Sequence, residues 1–145
     1  MNFTPNFKKN TAKVLVVDDD PIFGKVVELH LTHLKEQFAN KGVKLNFDVV
    51  KTSREAFRKI DENCDIIILD HFLDTDDDID TTGLDLVEEF KQVAPNSKII
   101  MVTSKNNFSE KETRLMNKVE IFVNKECSTV SRLVNILNKN FLVGQ

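Results

Sequence analysis

Asp65-Ile66-Ile67-Ile68-Leu69-Asp70 sets four apolar residues, three of them β-branched, between two carboxylates. The run is too short for a buried helix and suits a strand covered on both faces. Such strands occupy the middle of parallel sheets, and ligand sites in open parallel sheets form at the carboxyl ends of strands. Asp70 stands at that end. A charge at the end of an apolar strand is costly unless something there requires it. The plainer reading is that Asp70 opens a loop or caps the next element.

Working outward, the chain alternates. Residues 1–12 are polar and read as a lead-in, with one domain over 13–145. Lys13-Val14-Leu15-Val16-Val17 repeats the buried-strand pattern and runs into Asp18-Asp19-Asp20. Pro21 suits the first position of a helix capped by Asp20. Phe23, Val27, Leu31, Leu34 and Phe38 come next at helical spacing, and Gly42 marks the stop. Leu45 to Val50 alternates as a second strand. Thr52 and Glu55 have capping-box spacing for a short helix through Ile60.

Beyond the central strand, expected at 65–69, an acidic loop leads to a helix starting at Thr82-Gly83, with Leu84, Val87 and Phe90 inward. Pro95-Asn96 ends it. Lys98-Ile99-Ile100-Met101-Val102 is a fourth buried strand ending at Thr103-Ser104. Ser109 and Glu112 form a second capping box, opening a helix to about Lys118. Val119 to Val123 reads as the fifth strand, ending at Asn124-Lys125. Ser128 caps a last helix with Val130, Leu133, Val134 and Leu137 inward. Five strands alternating with five helices imply an α/β fold with a doubly wound parallel sheet.

Composition narrows the function. The chain has 145 residues, 41% hydrophobic and 30% charged, with a formal net charge of -3, which points to neither nucleic acid nor an anionic membrane as partner. Positions 70–89 hold nine acids and no Lys or Arg, whereas from Lys91 onward nine basic residues face four acids. Cys64 and Cys127 form no metal pattern and read as reduced, inert thiols of a cytoplasmic protein. No signal core or membrane-length apolar run is present.

The strand ends bring Asp18, Asp19, Asp70, Thr103, Ser104 and Lys125 to one edge. Two carboxylates ~4 Å apart repel by about 4 kcal/mol at an effective dielectric near 20. Three therefore need cations. Lys125 supplies one charge, and a hard divalent ion suits an all-oxygen donor set. Mg²⁺ fits best, because it takes a few carboxylates, keeps waters and accepts a phosphoryl oxygen. A carboxylate can attack phosphorus to form an aspartyl phosphate, with Mg²⁺, Lys125 and Thr103 stabilising the equatorial oxygens. No Gly-rich phosphate loop exists, so a bound nucleotide is not the expected donor.

Val16-Val17-Asp18-Asp19-Asp20-Pro21, Ile67-Ile68-Leu69-Asp70, Met101-Val102-Thr103-Ser104 and Asn124-Lys125 together resemble the signature blocks of the two-component response-regulator receiver domain, over about Lys13 to Leu142. The resemblance implies a flavodoxin-like strand order 2-1-3-4-5. It implies Asp70 as phosphoacceptor and Mg²⁺ on Asp18, Asp19, Asp70 and the backbone carbonyl of Phe72. Thr103 would follow the phosphoryl group, Lys125 would pair with it, and Phe122 falls at the switching aromatic. The donor would be a histidine kinase or phosphotransfer protein. The chain departs from the family at Asp74 and at Glu126, where Pro is usual, in a longer loop before Gly83, and in lacking the usual Gly-Ala before strand five.

The expectation is thus a stand-alone receiver, not an enzyme in the ordinary sense. Its output would be a contact with a downstream protein or a phosphorylation-dependent dimer, through a basic face including Lys111, Arg114, Lys118 and Arg132. The alternatives are a phosphorylation-independent interaction module and a calcium-binding loop at Asp74-Thr75-Asp76-Asp77-Asp78. In the latter, Ile79 stands where the turn needs Gly. His30, His33 and His71 read as surface or packing residues.

Overall fold

In the computed structural model, which describes residues 10–71, 83–104, 108–125 and 129–141, β3 (Ile66–Asp70) is buried along its whole length. It lies at the centre of a five-stranded parallel sheet between β1 (Thr11–Val17) and β4 (Lys98–Thr103). β2 (Lys44–Val50) pairs outside β1 and β5 (Ile121–Asn124) outside β4, giving the order 2-1-3-4-5. The expected doubly wound topology is therefore present.

The pleat divides β3 between two cores. Ile67 and Leu69 face a layer containing Leu84, Val87 and Phe90 of α3 (Gly83–Val93) and Ala56 of α2 (Ser53–Lys59). Ile66 and Ile68 face Val27, Leu31, Leu34 and Phe38 of α1 (Pro21–Asn40), together with Leu133 and Leu137 of α5 (Thr129–Phe141). α4 is a single short stretch, Glu110–Leu115, continued by a 3-10 turn through Lys118. Asp20 caps α1 through Ile22 N–H, with Pro21 at its first position, and Gly42 takes φ 82° just past the helix end. Ser109 and Glu112 form the full reciprocal capping box.

Several boundaries differ from the sequence reading. β1 starts at Thr11, because Asn10 O accepts from Lys44 N–H and Ala12 pairs with Leu45 in full burial. β3 starts at Ile66, since the Asp65 carboxylate accepts the Lys13 backbone N–H at 2.8 Å and so closes the sheet's lower end. β5 starts at Ile121, because Val119 N–H closes the 3-10 turn on Met116 O. Thr52 caps α2, but Glu55 reaches Lys51 N–H rather than Thr52 N–H, so that box is displaced by one residue. The last helix begins at Thr129, whose hydroxyl donates to Asn124 O at 2.7 Å. The expected cap, Ser128, lies outside the described residues.

Candidate functional site

The register of the sheet aligns the site. Val17 pairs with both Val50 and Leu69, so Asp18 and Asp70 leave adjacent strands at the same level. Asp18 is anchored by its own N–H on Val50 O at 3.0 Å, and its Oδ1 accepts from Asp20 N–H at 2.8 Å. Ligand oxygens of Asp18, Asp19 and Asp70 all lie within 4.8 Å of one another. Asp18 and Asp70 are almost fully buried and Asp19 is half-buried.

Lys125 joins the acids. Its Nζ stands 3.0 Å from Asp18 Oδ2 and 3.6 Å from Asp70 Oδ2. Its backbone N–H donates to Thr103 O at 2.9 Å, which fixes the residue to the end of β4. The ammonium also lies 4.8 Å from the centroid of the Phe23 ring, a cation-π contact from a residue that its helical spacing marks only as part of the apolar face of α1. Thr103 is buried one position beyond Val102, the partner of Asp70 in register.

The electrostatics record the crowding. Burial pushes the Asp18 carboxyl from 3.8 up to about 6, and the charge of Asp70 adds to the rise; Asp20 N–H and Lys125 oppose it. Burial works against the Lys125 ammonium, yet the hydrogen bond to Asp18 and the charges of Asp18, Asp70 and Asp20 hold its pKa above the ordinary value. Such a set of hard oxygen donors, with one carboxylate pushed toward its neutral form, fits a divalent cation such as Mg²⁺.

Behind the site, Gly83 opens α3 directly against β3. Its N–H donates to His71 O at 2.8 Å, and a Cβ there would fall 2.2 Å from Asp70 O. Only glycine admits that approach.

His71 is fully buried rather than a surface residue, with Nε2 3.1 Å from Glu112 Oε2. His30 and His33 are exposed. Phe122, the expected switching aromatic, is half-buried and meets Phe108 edge-on at 6.1 Å, and Phe108 meets His71 at 5.8 Å.

Phe72, the 74–78 acidic run, Glu126 and Cys127 lie outside the described residues. Cys64 is buried, and burial raises its thiol to about 12, consistent with an inert thiol. The basic face is partly neutralised: Lys111 Nζ lies 3.3 Å from Asp85 and Lys118 Nζ 3.9 Å from Glu88, while Arg114 and Arg132 are exposed. Among the described residues no helix is long and apolar enough to cross a membrane.

The family model for the response regulator receiver domain matches residues 14–138. The fold is similar to a CheY-like response regulator receiver domain protein from Methanospirillum hungatei JF-1, at TM-score 0.66 and 21% identity over 90% of this chain and 94% of that one. A response regulator protein from Burkholderia pseudomallei, solved with a phosphorylated aspartic acid, calcium ion and citrate, gives TM-score 0.61 at 18% identity, covering 89% of this chain and 68% of its own. The beryllofluoride-activated NtrC4 receiver domain dimer gives 0.60 at 26%, covering 89% and 95%. No curated protein sequence matches the chain.

Proposed function

The chain belongs to the response regulator receiver domain family, and from that premise we propose that it is a cytoplasmic response regulator that accepts a phosphoryl group on Asp70. The donor in this reading is a histidine kinase or phosphotransfer protein. One observation carries the assignment: three carboxylates from the ends of β1 and β3 share a volume within 4.8 Å, and one lysine from the end of β5 bridges two of them.

An Asp70 carboxylate oxygen forms a P–O bond as the donor's bond to phosphorus breaks and its electron pair leaves with the donor. Water later cleaves the acyl phosphate, releasing inorganic phosphate and restoring the carboxylate. Lys125 neutralises charge gathering on the phosphoryl oxygens, and its place over Phe23 and against Asp18 keeps it aimed there. Thr103 supplies a hydroxyl at the neighbouring strand end. Asp18, Asp19 and Asp70, with the Phe72 carbonyl, would hold Mg²⁺, which supplies positive charge for the transferring group when bound.

Output in this reading is a protein contact, either with a downstream partner or with a second copy of the chain. A dimer is the form in which the NtrC4 receiver was solved. The experiment is intact mass after incubation with a small acyl phosphate and Mg²⁺. The wild type is expected to gain one acid-labile phosphoryl group and Asp70→Asn none. A gain that persists in Asp70→Asn overturns the assignment.

A further inference from the structure

Asp70, the last residue of β3, and His71, which follows it, point to opposite sides of the sheet. Asp70 continues the row of Ile66 and Ile68 toward the carboxylate site. His71 continues the row of Ile67 and Leu69 toward the layer that contains α3 and α4, where it meets Glu112 and Phe108. The row is apolar until His71, which is 1% exposed. A buried polar ring at the end of an apolar row needs a polar partner, and Glu112 of α4 supplies one at 3.1 Å.

The backbone of His71 belongs to the rigid frame. Its N–H donates to Val102 O at 3.0 Å and its carbonyl accepts from Gly83 N–H at 2.8 Å. α4 is the reverse case. It spans six residues, Glu110–Leu115, and buries none of them fully. A helix of that length has no stability of its own, so its place is set by a few anchors. Phe108, Leu115 and Met116 pack only partly buried against the core, and the Lys111–Asp85 pair is on the surface.

Glu112 uses both carboxylate oxygens. Oε1 accepts the Ser109 N–H at 2.8 Å and so completes the capping box, while Oε2 faces His71. One side chain therefore caps α4 and moors it to the residue after Asp70. Phe108, just before the cap, touches the His71 ring and passes the contact to Phe122.

We propose that His71 and Glu112 form a latch that holds the N-terminus of α4 to the end of β3 and carries changes at Asp70 to α4. Both are positioning residues. The contact needs only a proton on Nε2, which a neutral ring can carry. The latch stands on this geometry alone, whereas its coupling to Asp70 rests on the phosphoacceptor reading.

The test is backbone hydrogen exchange of the whole chain, read on a peptide covering 109–118. Glu112→Gln retains a cap acceptor and loses the charge, and His71→Leu continues the apolar row. In the unphosphorylated protein each is expected to speed exchange of 109–118 about tenfold, as loss of a hydrogen bond to a charged group would. The double variant should be no faster than either, with β3 and α3 unchanged. Unchanged rates, additive effects in the double variant, or acceleration spread equally over the sheet overturn the latch.

The second arm adds a small acyl phosphate and Mg²⁺. The wild type should gain mass and alter exchange of 109–118. Glu112→Gln should gain the same mass with that response lost. A full α4 response in phosphorylated Glu112→Gln overturns the coupling. A wild type that gains no mass overturns the phosphoacceptor reading and the coupling together, and the first arm still decides the latch.

Discussion

Asp70→Asn keeps the shape of the side chain and removes one negative charge from a site that gathers three. With the oxygens of Asp18, Asp19 and Asp70 within 4.8 Å, each pair repels by about 3.5 kcal/mol at an effective dielectric near 20. The substitution relieves two such pairs, about 7 kcal/mol in all. It forfeits the attraction of Asp70 Oδ2 for Lys125 Nζ at 3.6 Å, about 4.5 kcal/mol on the same basis. The balance favours Asn, and screening at the half-buried Asp19 and Lys125 reduces it to about 1–2 kcal/mol of added stability in the metal-free protein. The gain should be largest at mildly alkaline pH, where Asp18 is ionised. Urea unfolding in EDTA and in millimolar-range Mg²⁺ measures it. Mg²⁺ should stabilise the wild type through binding to the folded state, and Asp70→Asn and Asp19→Asn much less. The reasoning is refuted if Asp70→Asn destabilises the metal-free protein and Mg²⁺ raises all three alike.

Asp18 titrates near 6 in the fold against 3.8 in the unfolded chain, so between these values the native state binds more protons. Its contribution to stability is present at the acid end and is lost as pH rises through about 6, by up to roughly 3 kcal/mol. Urea midpoints of wild type minus Asp18→Asn across that window, in EDTA, should show the fall; a flat or rising difference contradicts it. Gly83→Ala would drive a Cβ into Asp70 O and should cost about 3 kcal/mol in thermal or urea unfolding; an unchanged midpoint would show that α3 can move away freely. Charge reversal at the exposed Arg114 together with Lys118 should weaken phosphorylation-dependent self-association, read by sedimentation with acyl phosphate; association at wild-type strength removes the basic face from the output surface.

What was legible in the sequence was what local pattern encodes. The Ile66–Leu69 run announces a strand buried on both faces, and alternation with helical periods forces parallel crossovers. The carboxyl-end rule then brings Asp18, Asp19, Asp70, Thr103 and Lys125 to one edge. What escaped depends on partners distant along the chain. Thr11 and Ala12 look like lead-in residues until β2 pairs with them. Glu55 has capping-box spacing, yet it bonds the residue before the cap. Phe23 fits the apolar face of α1 so well that its second contact, with Lys125, leaves no separate trace. His71 and Glu112 belong to different elements, and only the interruption of the row Ile67, Leu69 by a polar ring hints that something must meet it.

The hydrogen bond between Gly83 N–H and His71 O ties together the two ends of residues 72–82. Whatever path that segment takes, it leaves and rejoins the domain at one point. The entropy of closing a segment between two fixed ends grows only as the logarithm of the number of residues. A lineage could therefore vary the length of the stretch beyond Phe72, acidic run included, while this junction beside the carboxylates stays fixed. The same closure makes the segment a natural graft point, provided Gly83 and the carbonyl it binds are kept.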